Sequence, residues 1–515
     1  MIYIFSAVAV VAYWLYLGFR TVHFVHMLQL NSYRNERFFG WVKKNKIISF
    51  ACVVPLVSYI GLILNAYWML GALAVLYLLL PSVRDRRPKK KPFVNTARTK
   101  RLFFTLWVLS WIPCALAFFR MELAPVAFVV FDCLLAFIVM LGNLLNQPIE
   151  KAVAGRYIRD AKNILKHSKK LTVIGITGSF GKTGTKHILH RILSQKFNVC
   201  MTPGSFNTPM GVVRTIRENL RATDEIFIAE MGAKNVGDIK EICDIVHPKH
   251  GIITAIGEQH LETFKSIENI IKTKWELADS VLAADGMLFV NGDNSYLADK
   301  DKKAITYGTN KKASFRAEDI QSGPEGQSFV FVTPDGASIR LQTKLLGRAN
   351  VINITGCAAL SYRMGVSLEQ IAAAVRSLPP TQHRLELLRH DRYWVIDDAY
   401  NSNPQGAAMA LEVLASFDML RILVTPGMVE LGEKQDELNF AFGAQAASAA
   451  DIIILVGEKQ AEPIAAGVRS KGFSEDKLHI VKTIGDAFTL LDKIAYEQEK
   501  KPVVLLENDL PDNYL

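Results

Sequence analysis

"GITGSFGKTGTK", residues 175–186, decides the fold. It opens on the β-branched run "LTVIGIT" (171–177), which has strand character, and runs into "TKHILHRILSQK" (185–196), where apolar residues recur at helical spacing. Strand, glycine-rich loop and helix in that order are the setting of a phosphate-binding loop. Gly178 and Gly181 let backbone N–H groups approach phosphate oxygens, Lys182 can reach the β- and γ-phosphates, and Thr183 can bind Mg²⁺. Ser179 and Gly184 complete the loop. The spacing departs from G-x-x-x-x-G-K-[ST], because Ile176 stands where the first glycine belongs. The flanking elements therefore carry the reading, which is ATP or GTP binding.

A chain of 515 residues is long enough for about three domains. Half of it is hydrophobic, and the charge is uneven: residues 1–150 hold 16 Lys+Arg against 5 Asp+Glu, whereas residues 151–515 balance at 44 of each. The net charge of +11 thus belongs to the first part, where membrane topology explains it better than nucleic acid. The six cysteines form no CxxC and no metal-spaced cluster, so a reduced chain without a disulfide framework is expected.

Five apolar runs, near 2–19, 47–64, 66–83, 102–119 and 124–145, have the length of bilayer spans, about 17–25 residues. The expectation is an α-helical membrane bundle over 1–150 with about five transmembrane helices. The basic loops, including "RDRRPKKKPFVNTARTKR" (84–101), would face the cytoplasm, leaving the N-terminus outside and the rest of the chain inside. That describes a multi-pass protein of the cell membrane with the lipid bilayer as a partner and no nucleic acid. Asp132 would lie within a span, as a functional carboxylate or as the partner of a polar group on another span. Residues 151–170, basic and apolar at helical spacing, read as a linker or amphipathic helix that lies on a membrane or docks the next domain.

From about 170 to 512 the chain resembles the Mur ligases, ATP-dependent amide ligases of cell-wall precursor synthesis. "TGSFGKT" (177–183) is similar to their T-G-x-x-G-K-T loop. "GSFNTPMGV" (204–212), "IFIAEMGAKNVGDI" (226–239), "TAIGEQHLETFKS" (254–266), "KTKWEL" (272–277), "GRANVIN" (347–353), "HRLELL" (383–388), "VIDDAYNSNP" (395–404) and "PGMVELGE" (426–433) follow in order. They match best the branch that adds D-Ala-D-Ala to UDP-MurNAc-tripeptide. The resemblance implies a P-loop α/β central domain over 171–379 and a smaller doubly wound α/β C-terminal domain over 380–515. It also implies ATP and two Mg²⁺ ions.

Residue roles follow from the same resemblance. Glu230, ending the apolar strand "IFIAE", sits where α/β sheets bind ligands and would hold Mg²⁺, with Thr183 and His260. Lys274 would be carbamylated, turning a cation into an anion that can bridge Mg²⁺ ions. Asn350 would contact adenine, although Ala349 before it replaces the family's frequent His. Arg384, at the hinge after "LPPTQ", would reach ATP phosphate, and either Asp397 or Asp398 would hold the ribose. Tyr400, Asn401 and Asn403 share that turn, and His187 and His190 read as plain helix-face residues.

The function expected is an ATP-dependent ligase acting through an acyl phosphate, on a peptide-bearing cell-wall precursor and an amino acid or dipeptide amine. Two departures bear on the substrates. Apolar runs occupy the place of the family's UDP-gripping domain, which leaves a lipid-linked or polymeric acceptor open. The chain ends "VVLLENDLPDNYL" (503–515) where the D-Ala-D-Ala branch has a Lys-Gly-Ser strand end. A transport ATPase is excluded by the lack of an L-S-G-G-Q signature. A scaffold that binds ATP without chemistry is opposed by the joint presence of Lys182, Thr183, Glu230, His260 and Lys274.

Overall fold

The computed structural model describes residues 2–44, 75, 92–119, 124–259, 261–298, 300–400, 402–457, 461–498 and 500–509. The chain divides into two compact units, Met1–Arg156 with Pro511–Leu515, and Tyr157–Leu510.

The first unit is helical, and it corrects the membrane-bundle reading. Among the described residues no helix is long and apolar enough to cross a membrane. The run near 2–19 belongs to the helix Ile2–Leu30, whose second half carries Arg20, His23 and His26. The helix Ala97–Phe119 opens on Arg98, Lys100 and Arg101 and contains Pro113. The run near 124–145 holds Ala124–Cys133, of 10 residues, a turn at Leu134 whose N–H still donates to Val130 O at 2.9 Å, and a helix that starts at Leu135 and continues to His167 through Asn143, Asn146, Pro148 and Glu150. The runs expected near 47–64 and 66–83 lie outside the described residues, Val75 apart. With no such helix among the described residues, the multi-pass cell-membrane placement, with its outside N-terminus and bilayer partner, is not supported. Asp132 is buried and pairs with Arg20 at 2.5 Å, two charges removed from water that each need the other.

The second unit holds two sheets. In the larger, β1 (Thr172–Thr177), β2 (Val199–Met201), β3 (Ile226–Glu230), β4 (His250–Ile253), β5 (Leu288–Asn291), β6 (Ile305–Gly308), β7 (Phe315–Gly323), β8 (Gly326–Val332) and β9 (Ser338–Thr343) run in the order β2-β3-β1-β4-β5-β6-β7-β8-β9. The pairs from β2 to β7 are parallel, and β7, β8 and β9 are antiparallel. A parallel strand covered on both faces must be apolar throughout, and β3, "IFIAE", is buried at every position. The final Pro-Asp-Gly turn closes an antiparallel hairpin with Val332 opposite Ser338.

Residues 157–167 dock on this domain. Ala161 is fully buried, Ile158, Ile164 and Leu165 pack against the same core, and Asp160 pairs with Arg217 at 2.5 Å. Gly365, at φ 83°, ends one helix, and Ser367 caps the next in a reciprocal box with Gln370.

The smaller sheet comprises β10 (Glu386–Arg389), β11 (Trp394–Asp398), β12 (Leu420–Thr425), β13 (Ile452–Val456), β14 (Leu478–Val481) and β15 (Pro502–Glu507), in the order β10-β11-β15-β12-β13-β14. Only β10 is antiparallel to its neighbour. Open α/β sheets bind ligands beyond the carboxyl ends of their strands, where the order reverses. In the larger sheet β3 and β4 flank β1 on opposite sides, which puts the glycine-rich loop at that position.

Candidate active site

Gly178 and Gly181 shape the loop. A Cβ on Gly178, at φ 155°, would stand 2.0 Å from Thr254 Oγ1. Gly181, at φ 80°, starts the helix Lys182–Leu193 with no side-chain cap, so its first N–H groups face the cleft. Ser179 is a strut: its N–H donates to Ala255 O at 2.7 Å, its hydroxyl donates to Gly257 O at 3.1 Å, and Gly257 N–H donates back to that hydroxyl at 3.1 Å. Lys182 Nζ donates to Gly178 O at 2.6 Å and Ser179 O at 3.0 Å. Burial, with Arg384 nearby, lowers its pKa to about 8 against the opposing pull of Glu230.

Glu230 is 1% exposed at the end of β3. Its Oε1 accepts from Thr183 Oγ1 at 3.2 Å and Asn207 Nδ2 at 3.1 Å, and its Oε2 lies 2.9 Å from Lys186 Nζ. Lys186 is itself fully buried and also donates to Gly204 O. Burial alone would raise the Glu230 carboxyl, but Lys186 and Lys182 outweigh it and hold the group below its ordinary value.

The loop and Glu230 form one wall of a cleft of about 520 Å³. The smaller domain forms the other, with Arg384, Asp398, Tyr400, Ser402, Asn403 and Glu507. The Arg384 guanidinium stacks 4.4 Å from the Tyr400 ring centre, and the Tyr400 hydroxyl meets Ser205 Oγ at 2.6 Å across the cleft. Asn403 caps the helix Pro404–Ala415 by accepting from Gly406 N–H at 3.0 Å. Asp397 and Asp398 have separate surroundings: Asp397 turns to His383 Nδ1 at 2.7 Å, while Asp398 lines the cleft. Burial raises Asp398 to about 6, against Arg384 and the Leu385 N–H.

Of the residues expected at the site, Ser179, Gly181, Lys182, Thr183, Gly184, Glu230, Asn350, Arg384 and Asp398 line this cleft, and Gly178, Lys274 and Asp397 do not. Asn350 donates to Leu346 O at 2.8 Å. Lys274 is 3% exposed, its Nζ 6.0 Å from the Phe264 ring centre, and burial followed by Lys182 drives its pKa well below the ordinary value. His260 and Asn401 lie outside the described residues. His187 and His190 stay off the cleft.

Three residues were missed. Lys186 stands with Leu189 and Leu193 at i, i+3 and i+7, a lysine in an apolar stripe, which is a readable anomaly. Glu507 ends "PVVLLE" just as Glu230 ends "IFIAE". Asn207 lies in "GSFNTPMGV", where the family likeness marks the segment without giving the residue a role.

A phosphate loop and a buried carboxylate facing Arg384 of a second α/β domain define a nucleotide-dependent transferase or ligase architecture. Residues 176–361 match the Mur ligase middle domain, and residues 383–506 match the Mur ligase, glutamate ligase domain. The chain thus carries the middle and C-terminal domains of a Mur ligase. It is 32% identical over 276 residues to the UDP-N-acetylmuramoyl-tripeptide–D-alanyl-D-alanine ligase of Bacillus subtilis, covering 53% of this chain and 59% of that one. It is 32% identical over 297 residues to the enzyme of the same name from Escherichia coli, covering 56% and 65%. The chain therefore spans less than two thirds of either relative. The crystal structure of MurF from Acinetobacter baumannii superposes with a TM-score of 0.63 at 27% identity, over 69% of this chain and 77% of that one.

Proposed function

We propose that the chain is an ATP-dependent amide ligase that joins D-Ala-D-Ala to the peptide carboxyl of a UDP-MurNAc-tripeptide through an acyl phosphate. One observation carries this: Lys182, Thr183 and Glu230 face Arg384 and Asp398 across a single cleft. The names of the Bacillus subtilis and Escherichia coli relatives support the choice of substrates.

A carboxylate is a poor acylating agent. Its oxygen takes the γ-phosphoryl group of ATP, the bond to ADP breaks, and the acyl phosphate forms. The amine then attacks the acyl carbon, a C–N bond forms, and phosphate leaves. Little covalent work falls to the protein, so positioning and charge neutralisation dominate. Lys182 and Arg384 supply positive charge from opposite walls, and Asp398, which lines the cleft, would accept from a ribose hydroxyl in preference to Asp397.

The donor set suits Mg²⁺, a hard cation that prefers oxygen: the Thr183 hydroxyl and the Glu230 carboxylate lie 3.2 Å apart, and Glu230 is held ionised. Thr183, Glu230 and His260 would hold Mg²⁺, two ions in the family pattern, whose charge offsets that of the phosphates. Burial pushes the Lys274 ammonium well below its ordinary value, which favours the free amine that addition to CO₂ requires, and the carbamate would supply a further anion.

The test is to incubate the purified full chain with Mg-ATP, D-Ala-D-Ala and UDP-MurNAc-tripeptide and to seek UDP-MurNAc-pentapeptide by mass spectrometry. Product is expected, and Lys182→Ala should reduce it about 10²–10³-fold. ATP binding with no product would sink the assignment to these substrates and move the search to other peptide-bearing acceptors of the cell envelope.

A further inference from the structure

The roles above leave one buried acid of the cleft unused. Glu507 is 1% exposed at the carboxyl end of β15, yet it lines the cleft beside Ser402 and Asp398. The Ser402 hydroxyl donates to one of its oxygens, and Thr425 Oγ1 donates to the other at 3.1 Å. Each carboxylate oxygen has two lone pairs, so each keeps an acceptor position. Among the described residues no Lys, Arg or His pairs with it. The charged neighbour is Asp398, on the adjacent β11, and the cation Arg384 acts on Asp398. The packed β12 contributes only the neutral Thr425.

Phosphate binding has no use for such a group, since an acid repels anions. Two adjacent carboxyl groups with spare acceptor positions complement a cation that donates hydrogen bonds. In an amide ligation one substrate has that character: the incoming amine, which travels as an ammonium ion and must shed a proton before it can attack.

We propose that Glu507, supported by Ser402, receives the ammonium group of the incoming amine and takes one proton from it, so that the free amine reaches the acyl carbon. This rests on the amide-ligase reading. The proton passes from R–NH₃⁺ to the Glu507 carboxylate, giving R–NH₂ and the carboxylic acid. The nitrogen lone pair then forms the C–N bond, the C–O bond to phosphate breaks, and the second amine proton leaves with the phosphate. Burial and Asp398 raise the Glu507 carboxyl to about 8, which matches an α-amino group at about 7.7–8.0, so the proton moves with little free-energy change. The ordinary carboxylate value of 4.5 would make a much weaker base.

The experiment compares two nucleophiles in the full chain with Mg-ATP and UDP-MurNAc-tripeptide. D-Ala-D-Ala must lose a proton to react, while hydroxylamine is largely neutral at pH 7 and traps an acyl phosphate as the hydroxamate unaided. Glu507→Gln, close in size and able to keep the Ser402 bond, should lower amide formation about 100-fold and leave hydroxamate formation within about threefold of the parent. Hydroxamate formation also reports that the variant is folded and activates the carboxylate. Ser402→Ala should weaken amide formation in the same selective way but less. Equal amide rates in parent and Glu507→Gln would overturn the proposal, as would equal loss with both nucleophiles. A parent that forms neither product overturns the amide-ligase reading and this proposal with it. A parent that forms hydroxamate while Glu507→Gln keeps its amide rate overturns this proposal alone.

Discussion

Lys186→Met should destabilise the larger domain through Glu230 and most strongly at neutral pH. Lys186 is fully buried, Glu230 is 1% exposed, and their charges approach to 2.9 Å. Methionine fills similar volume, so the packing change is small. Glu230 would keep Thr183 and Asn207 on one oxygen and lose the cation on the other, and Gly204 O would lose its donor. Removing one partner of a buried ion pair costs about 3–5 kcal/mol. For a domain of this size that lowers the thermal midpoint by roughly 6–20 °C. The folded carboxyl of Glu230 lies below its ordinary 4.5, so its stabilising contribution is present above that value and is lost as pH falls through the folded value. Without Lys186, burial dominates and the carboxyl rises. The gap between parent and variant should therefore be widest near pH 7 and narrow toward pH 4. Differential scanning calorimetry from pH 4 to 8 measures it, with Glu230→Gln and the double variant closing a cycle. The double variant should be less destabilised than the sum of the singles. A midpoint within 2 °C of the parent at pH 7, or a gap that does not change with pH, would refute the pairing.

Other substitutions test other parts of the site. Gly178→Ala should cost about 1–3 kcal/mol and weaken ATP binding, because φ 155° and Thr254 Oγ1 at 2.0 Å exclude a Cβ; calorimetric titration with ATP reads both effects through affinity and active fraction. Asp398→Asn should raise the KM for ATP roughly tenfold while Asp397→Asn leaves it within about twofold, since only Asp398 lines the cleft; the reverse order would assign the ribose to Asp397. Glu507 has a folded value of about 8 against an ordinary 4.5, so its contribution to stability is full below about pH 4.5 and is lost as pH rises through 8. Glu507→Gln should thus gain on the parent between pH 5 and pH 9, by up to roughly 3–5 kcal/mol in chemical denaturation, and a constant difference would contradict the raised value of Glu507.

What the sequence made legible was local. The strand, loop and helix around Gly178–Thr183 follow from β-branching, glycine placement and 3.6-residue spacing, all within one short window. Glu230 stood out as a charge closing an apolar strand. The Pro-Asp-Gly hairpin and the Ser367 cap depend on neighbours a few residues apart. The expectation of five membrane spans counted apolar residues in runs. It had no access to the pairing of Arg20 with Asp132, 112 residues away.

The same limit explains the missed acid. Glu507 carries the strand-end signature that identified Glu230, but its surroundings come from Ser402, 105 residues away, and Thr425, 82 residues away. Sequence spacing cannot distinguish a carboxyl that a lysine holds below its ordinary value from one that burial raises to about 8. The difference lies in which strands the fold sets side by side. β3 brings Glu230 against the helix that carries Lys186, whereas β15 sits between β11 and β12, where the nearest ionisable group is another acid. Two strands with the same ending thus deliver opposite electrostatics to opposite walls of one cleft. On the amide-ligase reading the two acids would divide the work, one held ionised beside the lysines of the phosphate loop and its helix, the other raised toward the value of an amine.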